Sequence, residues 1–599
     1  MSTSYSVSQN ELKQVYELLP APWIAEANNK WQLDISQVID INGATIYVNP
    51  YSNMMTGDKI TLSWQGEFGS PYILQNTVTR EKRGKILTFI VPFPVLEQYP
   101  GSYVRLNYNI TRATGELARS QPVDYYIIGE RAKLLVIGAR YSREGFYNFG
   151  ATPPCYISAL NANTLRPVLA EWQYAGEQKW VAGSNFQDVL PYRPLRVRLA
   201  NQLVTLNPCN IAGNGWHAIG NGLGRDYTAA FVARRDSGYM VAWGDAGFGG
   251  NIPVPLTTLN NIVQIVSTVN AFAARLSSGH VVAWGSAEYG GVVPTEIAGL
   301  SDIVDIVGSL GAFAARRATG QVVAWGNRGH GGLVSPAIAA MTDIVDVWGA
   351  ASAFVAQRAT GHLVAWGSSD KGGALPPEVA AMTDIVEIVK AAWAFAVRRA
   401  NNSVVAWGYG SDFGSVVPGE ISALRDIIKL SSSNNAFAAL RANGSVVAWG
   451  RDSFGGVVPK NIAGLNDIVE VTATVHAFTA RRANGSVVAW GDVDRGGKVP
   501  ESISNLQDII QVTSSKAAFA ALRRDGTVVT WGDSEWGGDS RAVAEQLKNV
   551  RAIYGSSTAF TALTADGRVV TWGLAGGGGN SSSVQALLKG QVSYEIATQ

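Results

Sequence analysis

The sequence predicts an all-β chain in which β-sandwich modules precede a multi-bladed β-propeller. Three observations support this prediction. A phrase close to G-x-V-V-A-W-G recurs nine times, with small substitutions and at an almost constant spacing, and the apolar runs between the copies are short and show no helical period. Ahead of the repeats, apolar and polar side chains alternate as they do in half-buried strands.

The repeat itself predicts the blade. Its tryptophan recurs every 41 residues, with one step of 42, at Trp243, Trp284, Trp325, Trp366, Trp407, Trp449, Trp490, Trp531 and Trp572. A period of this length is typical of a unit that buries its apolar face only by stacking on copies of itself. Within 302–343, three apolar runs predict an inner, a middle and an outer strand, and a short fourth strand is expected after the glycine pair.

The ends of the array predict how the ring closes. The first copy begins with a middle strand, in 229–244, and no inner strand precedes it in register. Projecting the step beyond the last copy places an inner strand at 591–597, where Val592 and Tyr594 match inner-strand positions of the other repeats. We therefore expect the C-terminal strand to complete the first blade, giving nine blades and a ring without open edges.

The remaining segments divide the chain into four parts. Residues 1–19 are expected to be an N-terminal extension, and 20–130 show the alternation of an immunoglobulin-like β-sandwich. Residues 131–225 predict a second β-rich module, which ends in a glycine-rich linker at 213–224. The propeller is expected to occupy 226–599.

Composition excludes several classes of protein. Of the 599 residues 47% are hydrophobic, which disfavours a disordered chain. The 48 basic and 46 acidic residues give a net charge of +2, which disfavours a nucleic-acid partner. Cys155 and Cys209 alone cannot form a disulfide framework or a zinc site. Without a secretory signal or a membrane span, we expect a soluble protein that is cytoplasmic as made, or one exported by a route other than the general secretory pathway.

No catalytic motif is found in the sequence. The histidines are scattered and lack metal-ligand spacing, at His217, His280, His330, His362 and His476. Nucleophile elbows, phosphate loops and dinucleotide fingerprints are absent from the sequence. Asp492 and Asp494 favour a solvated turn over a calcium loop, because the other ligand positions are missing. We expect a protein that is not an enzyme and that uses no cofactor and no metal.

The repeat resembles a known family. The order IxxLxDIVxIVxSxxAFAARxxxGxVVAWGxxxxGG, over 226–599, is similar to the RCC1-type repeat. Its compact unit is most similar to the bacterial propellers of this superfamily, typified by the β-lactamase inhibitor protein with RCC1-like blades. This chain departs from that pattern in two ways. The histidine usual before the second strand is mostly absent, with His476 as the exception, and nine units replace the usual seven.

Two sets of constant side chains predict internal contacts. Arginines follow each repeat's phenylalanine at Arg316, Arg358, Arg398, Arg441, Arg481 and Arg523. Aspartates precede the inner strand at Asp302, Asp343, Asp384, Asp426, Asp467 and Asp508. One acid for each base indicates pairing within or between blades. The tryptophans have nearly the same neighbours in every copy, which favours core packing over a glycan-binding floor.

Recognition is expected where the copies differ. One variable set stands before the middle strand, at Asn270, Gly311, Ser352, Trp393, Asn435, His476, Ala517 and Thr558. The other stands before the glycine pair, at Phe248, Tyr289, His330, Lys371, Phe413, Phe454, Arg495, Trp536 and Gly577. Antiparallel strand order puts both sets on one face. For the second set an alternative stays open, since an aromatic residue at this place in RCC1-like repeats often packs beneath the loop.

The candidate partner-binding residues are Trp393, His476, Asn435, Tyr289, His330, Phe454 and Trp536, and we expect Trp393 and His476 to be exposed. They predict a non-enzymatic binding protein that uses one propeller face for protein recognition. The alternative is a glycan-binding adhesin or toxin-associated subunit, because aromatic, histidine and asparagine side chains on a shallow face also suit sugars.

Overall fold

Strands dominate the structure. The computed structural model describes residues 17–38, 43–66, 70–129, 133–141, 156–215 and 229–596. Cys155, His217 and most of the predicted linker lie outside these residues. Within the described part of the chain, each α-helix is a single turn, and none is long and apolar enough to span a lipid bilayer.

The first ten strands form two sheets. β1 to β10 are Glu17–Leu19, Trp23–Ile24, Gln32–Asp34, Gly43–Val48, Lys59–Gln65, Tyr72–Thr77, Leu87–Pro92, Tyr103–Thr111, Leu117–Ser120 and Val123–Ile128. The larger sheet has the order β1-β9-β8-β10-β3, with β5 on β8 and β6 on β5, and the smaller is β2-β4-β7. Trp64 and Tyr108 from the larger sheet share one apolar core with Ile46 and Phe89 from the smaller. Two sheets around one core make a β-sandwich.

Seven further strands form the second module. β11 to β17 are Leu134–Ile137, Tyr156–Asn161, Ala170–Tyr174, Val181–Gly183, Asn185–Gln187, Leu195–Leu199 and Gln202–Leu206, in the sheets β11-β12-β15 and β14-β13-β16-β17. Trp172 and Val197 of this module lie in the same apolar cluster as Phe231 and Leu563 from the two ends of the repeat array. The module therefore shares its core with the repeats.

Nine three-stranded antiparallel sheets follow in the described residues between 211 and 573, and we number them repeat sheets 1 to 9. Their inner strands are Ile211–Gly213, Ile262–Ser267, Ile303–Gly308, Ile344–Gly349, Ile385–Lys390, Ile427–Ser432, Ile468–Ala473, Ile509–Ser514 and Val550–Gly555. The middle strands are Ala230–Arg234, Ala271–Leu276, Ala312–Arg317, Ala353–Arg358, Ala394–Arg399, Ala436–Arg441, Ala477–Arg482, Ala518–Arg523 and Ala559–Thr564. The outer strands are Met240–Gly244, Val281–Gly285, Val322–Gly326, Leu363–Gly367, Val404–Gly408, Val446–Gly450, Val487–Gly491, Val528–Gly532 and Val569–Gly573. Such repeated small sheets are those of a multi-bladed β-propeller.

Short helical turns replace the predicted fourth strand. The α-helical turns of the chain are Phe93–Leu96, Val254–Thr257, Thr295–Ala298, Pro336–Ala339, Pro377–Ala380, Gly419–Ser422, Lys460–Ala463, Glu501–Ser504 and Gln585–Leu588. The 3-10 turns are Ile35–Val38, Ala246–Phe248, Ala287–Tyr289, Arg328–His330, Ser369–Lys371, Ser411–Phe413, Asp452–Phe454, Val493–Arg495, Ser534–Trp536, Arg541–Gln546, Ala575–Gly577 and Ser582–Val584. The fourth strand was a wrong prediction, because prolines such as Pro294 and Pro336 begin the α-turns and lack the N–H that a strand ladder needs.

The apolar cores of the array lie between adjacent sheets. Val266 and Ala273 of sheet 2 pack against Ile306 of sheet 3, and alanines on the middle strand let the sheets approach closely. Trp325 lies 5.2 Å from Phe313 between ring centroids, and its Nε1 donates to the Gly290 carbonyl of the preceding repeat (3.0 Å). All nine repeat tryptophans are buried and make this bond, so core packing is confirmed.

The predicted ion pairs are confirmed, with a change of partner in three sheets. Each aspartate pairs with an arginine of its own sheet at 2.7–3.1 Å. In sheets 3, 5 and 7 the second of two adjacent arginines makes the pair, so the partners of Asp302, Asp384 and Asp467 are Arg317, Arg399 and Arg482 rather than Arg316, Arg398 and Arg481. The first arginine lies one position earlier on its strand and faces the opposite side of the sheet.

The prediction that the C-terminal strand completes the first sheet is wrong. Ile211–Gly213 is the inner strand of sheet 1, with Gly213 paired to Phe231. These two residues are 18 positions apart, whereas Gly308 and Phe313 of sheet 3 are 5 apart. This long connection hid the strand from the repeat register. The first repeat sheet therefore includes Ile211–Gly213, which lies before the boundary expected near 225.

The C-terminal segment instead lies along the second module. Ile596 donates its backbone N–H to the Thr205 carbonyl (2.7 Å), and Asn207 donates to the Tyr594 carbonyl (3.0 Å). The Tyr594 hydroxyl donates to the Gly138 carbonyl (2.7 Å), and Val592 is fully buried. The end of the chain therefore ties the second module to the repeats.

Candidate binding surface

The two variable loops of each repeat lie side by side at one end of the sheets, which we call the loop face. In sheet 2 the Thr268 hydroxyl, just after the inner strand, donates to the Tyr289 carbonyl in the turn after the outer strand (2.9 Å). Ser433 makes the same bond to the Phe454 carbonyl in sheet 6 (2.8 Å), and a serine or threonine does so in sheets 3, 7, 8 and 9. These bonds hold the turn residues in place.

Side chains from successive repeats meet on this face. The rings of Tyr289 and His330 lie 6.5 Å apart between centroids. The Lys371 ammonium stands 4.8 Å from the centroid of Trp393, and the Trp393 ring lies 4.7 Å from that of Phe413. A cation above an aromatic ring is attracted electrostatically to the face of that ring. The turn residue of one repeat thus contacts the variable residue before the middle strand of the next.

A second group continues the pattern on sheets 6 and 7. Phe454 and His476 lie 4.5 Å apart between ring centroids, with the Arg451 guanidinium 5.5 Å from the Phe454 ring. Arg495 Nη1 lies 3.4 Å from His476 Nδ1. Together the two groups place aromatic and cationic side chains of sheets 2 to 7 on one end of the array.

The seven predicted residues are less accessible than expected. Trp393, His476, Tyr289, His330 and Phe454 are partly buried, and Asn435 and Trp536 are buried. The expectation that Trp393 and His476 project freely is wrong, because each packs against a turn residue of a neighbouring repeat or its own. For Trp536 the alternative of an aromatic packed beneath the loop agrees with its burial. The other aromatic residues keep part of their surface in solvent.

Tyr409 belongs to the same surface and was missed from the sequence. Its exposed ring lies 5.6 Å from Trp393 and 5.5 Å from Phe413 between centroids. It precedes Gly410, whose φ of 57° is in the left-handed region. The single 42-residue step, between Trp407 and Trp449, was the signal that could have identified this loop.

Backbone hydrogen bonds link the repeats just before the first variable set. The N–H of one residue donates to the carbonyl of its equivalent in the next repeat at 3.0–3.2 Å. The chain of eight such bonds runs through Val269, Leu310, Ala351, Ala392, Asn434, Val475, Lys516, Ser557 and Asn214. Val269, Leu310, Ala351 and Ala392 cluster with Tyr289 and Trp393. This hydrogen-bonded backbone, which we call the rim, therefore lies against the loop-face side chains.

Burial sets the charge of two groups near this rim. Burial lowers the pKa of His330, and the neighbouring Lys371 charge lowers it further, so the imidazole is neutral at pH 7. Burial also lowers the pKa of Lys516 to about 7.

The opposite end of the sheets carries the second module. Gly138 donates its N–H to the Arg551 carbonyl (2.8 Å), and Ala139 donates to Gln511 Oε1 (2.8 Å). The Tyr141 hydroxyl bonds to the Ile553 carbonyl. The acceptor atoms belong to the inner strands of sheets 8 and 9. The module therefore docks on the end that the loop face does not use.

The polar residues that the sequence analysis considered for metal binding or catalysis lie in turns of the repeats. His280 and His362 sit in hairpin turns, each 3.0 Å from a Ser278 or Thr360 hydroxyl. Among the residues that the structure describes, no three His, Cys, Asp or Glu side chains could share a metal ion. Asp492 accepts the N–H of Asp494 and pairs with Arg495 at 3.4 Å, as in a solvated turn.

Comparison with known proteins gives distant likenesses of fold. No family model matches the sequence, and no curated protein does. The crinkly WD40 ectodomain of the Arabidopsis thaliana receptor kinase ACR4 is 14% identical, over 46% of this chain and 95% of that one, with a TM-score of 0.31. Prp20p from Saccharomyces cerevisiae is 16% identical, over 49% and 80%, with a TM-score of 0.31. Yeast RCC1 (Prp20) bound to Kap60 is 14% identical, over 53% and 86%, with a TM-score of 0.32. RCC1-type propellers are thus among the folds that the chain resembles, at TM-scores too low to carry an argument.

Proposed function

We propose that this chain is a non-enzymatic binding protein that recognises a protein partner through the loop face of a nine-bladed ring. The observation that carries the proposal is the row of aromatic and cationic side chains that meet between repeats, with Trp393 and Tyr409 at its centre. Aromatic residues and arginine are the residue types enriched in protein interfaces. The strands beneath these side chains are nearly the same in every repeat, and the variation between repeats is concentrated in the loops. Such variation on a constant scaffold is suited to specific recognition.

Two contacts support the closed ring. Trp243 Nε1 donates to the Gly578 carbonyl (3.0 Å), the bond that every other repeat tryptophan makes to its preceding repeat. Gly213 lies so close to the last inner strand that a Cβ there would be 2.3 Å from the Gly555 carbonyl oxygen. Sheet 1 would then follow sheet 9 as sheet 2 follows sheet 1. In this proposal the N-terminal β modules, the first of them immunoglobulin-like, serve as a stalk, an anchor or a second binding site.

Photo-crosslinking tests the recognition face. p-Benzoylphenylalanine at position 409 should capture a partner from cell extract, whereas the same group at Trp31, exposed on the β-sandwich, should not capture it. With the partner purified, Trp393→Ala should weaken binding about 30-fold, as truncation of a hot-spot residue costs roughly 2 kcal/mol. Capture from position 31 alone, or wild-type affinity of Trp393→Ala, would contradict the proposal.

The glycan alternative gives a different result in a parallel assay. A glycan array should remain unlabelled by the wild-type protein if the partner is a polypeptide. Saturable binding to one class of sugar that disappears in Trp393→Ala would favour the adhesin or toxin-associated subunit instead.

A further inference from the structure

Four exposed aliphatic side chains occupy one repeat position at the end opposite the loop face. Val345, Val386, Ile428 and Val469, on sheets 4 to 7, are 46%, 52%, 45% and 40% exposed. Each is the second residue of an inner strand. We call these four residues the crescent. Exposed apolar side chains that recur at one position of four successive sheets form a candidate interaction site.

The same position is covered on the neighbouring sheets. In sheet 8 its occupant, Ile510, is only 7% exposed and lies in an apolar cluster with Leu135 and Ile137 of β11. In sheet 9 the equivalent Arg551 is also partly buried, beside Gly138. The crescent is therefore the uncovered continuation of an interface that this chain already forms with an extended aliphatic segment.

The backbone at this position is suited to pairing with such a segment. The register of each inner strand shifts between the residues that flank the crescent position, as between Ile385 and Glu387, so the crescent residue is a bulge. Bulges re-aim backbone and side chain away from the ladder. At the sheet 9 bulge, the Arg551 carbonyl accepts the N–H of Gly138. Sheets 4 to 7 repeat this bulge.

Charge on both sides of the crescent is internally paired. Glu387, on the inner strand of sheet 5, lies 3.1 Å from Lys429 of the next inner strand and 3.0 Å from Arg398 of its own middle strand. On the other side, the Asp343 and Asp426 carboxylates pair with arginines of their own sheets. An aliphatic strip between paired charges favours an occupant that is uncharged and apolar on the side it presents.

We infer that the crescent is a second docking surface, which takes an extended, aliphatic segment of a partner polypeptide. That segment lays alternate Leu, Ile or Val side chains on the crescent and donates backbone N–H groups to the bulge carbonyls. On sheets 4 to 7 the segment would make the same two kinds of contact that this chain makes on sheets 8 and 9, where β11 packs on Ile510 and Gly138 donates to the Arg551 carbonyl. The surface is separate from the loop face, so the two docking proposals stand or fall independently.

A peptide of the stated chemistry tests this inference on the full chain. The probe is a fluorescein-labelled peptide with the sequence of residues 133–139, KLLVIGA, followed by fluorescence anisotropy. We expect saturable binding that weakens at least tenfold in the double variant Val386→Asn with Ile428→Asn. The matched control, Val292→Asn with Val416→Asn, changes two aliphatic residues elsewhere on the repeats that are more exposed than the crescent residues, and it should bind as the wild type does.

Three results would overturn the inference. The first is equal binding by the crescent and control variants, which would place the peptide on sheets 8 and 9 or elsewhere. The second is that the wild-type protein shows no saturable binding of the peptide. Equal thermal midpoints of the wild type and both variants would show that this result does not come from unfolding. The third is a wild-type dimer by sedimentation that becomes monomeric in the crescent variant, since the occupant would then be a second copy.

Discussion

Ring closure predicts that Trp243 contributes as much to stability as a tryptophan in the middle of the array. Trp243 and Trp325 are 2% and 1% exposed, and their Nε1 groups donate to the carbonyls of Gly578, which follows sheet 9, and Gly290, which follows sheet 2, at 3.0 Å each. A buried indole removes about 150–250 Å² from water, worth roughly 4–6 kcal/mol at 25 cal/mol per Å² as an upper bound. Substitution of either residue by alanine should therefore cost about 3–5 kcal/mol.

Urea unfolding followed by circular dichroism measures both variants against the wild type. Trp325→Ala is the matched control, because its contact lies between sheets that are adjacent in sequence. In a closed ring the two losses agree to within about 1 kcal/mol, the scatter expected for equivalent core sites. If Trp243→Ala loses less than about 1.5 kcal/mol while Trp325→Ala loses its full share, sheets 1 and 9 do not pack in solution.

Three further predictions test the interior. Deleting 590–599 should lower stability by about 4 kcal/mol, because Val592 and Tyr594 leave their core, and an unchanged thermal midpoint would show that the tail does not anchor the second module. Arg140→Met should cost about 3–5 kcal/mol in urea unfolding, since it leaves the Asp188 carboxylate, 2.7 Å away, buried without its cation; a loss under 1 kcal/mol would refute this. Burial lowers the folded-state pKa of Lys516 to about 7 from 10.5, so the unfolded state binds more protons between these values and stability should rise by about 2 kcal/mol from pH 7 to pH 9. Lys516→Met should abolish that rise, and an identical pH dependence in wild type and variant would contradict it.

The loop-face residues show where sequence reasoning reached its limit. The variable positions and their common end of the sheets follow from strand order, and the structure places them so. Their exposure could not be predicted from the sequence, because it depends on side-chain contacts. Trp393, for example, packs against Phe413 of its own sheet and Lys371 of the preceding sheet. Spacing along one chain carries no information about the distance between side chains of stacked sheets.

The sequence by itself determined the repeat, its three strands, the constant tryptophan and the presence of an Asp–Arg pair in six repeats, because these depend on local periodicity and on chemistry that recurs at fixed offsets. Which of two adjacent arginines makes the pair was decided by the structure. The fold of the second module, its docking site on the inner strands and the true inner strand of sheet 1 were decided by tertiary structure. Ile211–Gly213 has no repeat signature, and its identity comes from pairing with Phe231 across a long connection. The crescent likewise became visible only when β11 was seen to cover Ile510 and not its equivalents. Which of several identical positions is covered depends on contacts between residues hundreds of positions apart, and those contacts leave no periodic trace in the chain.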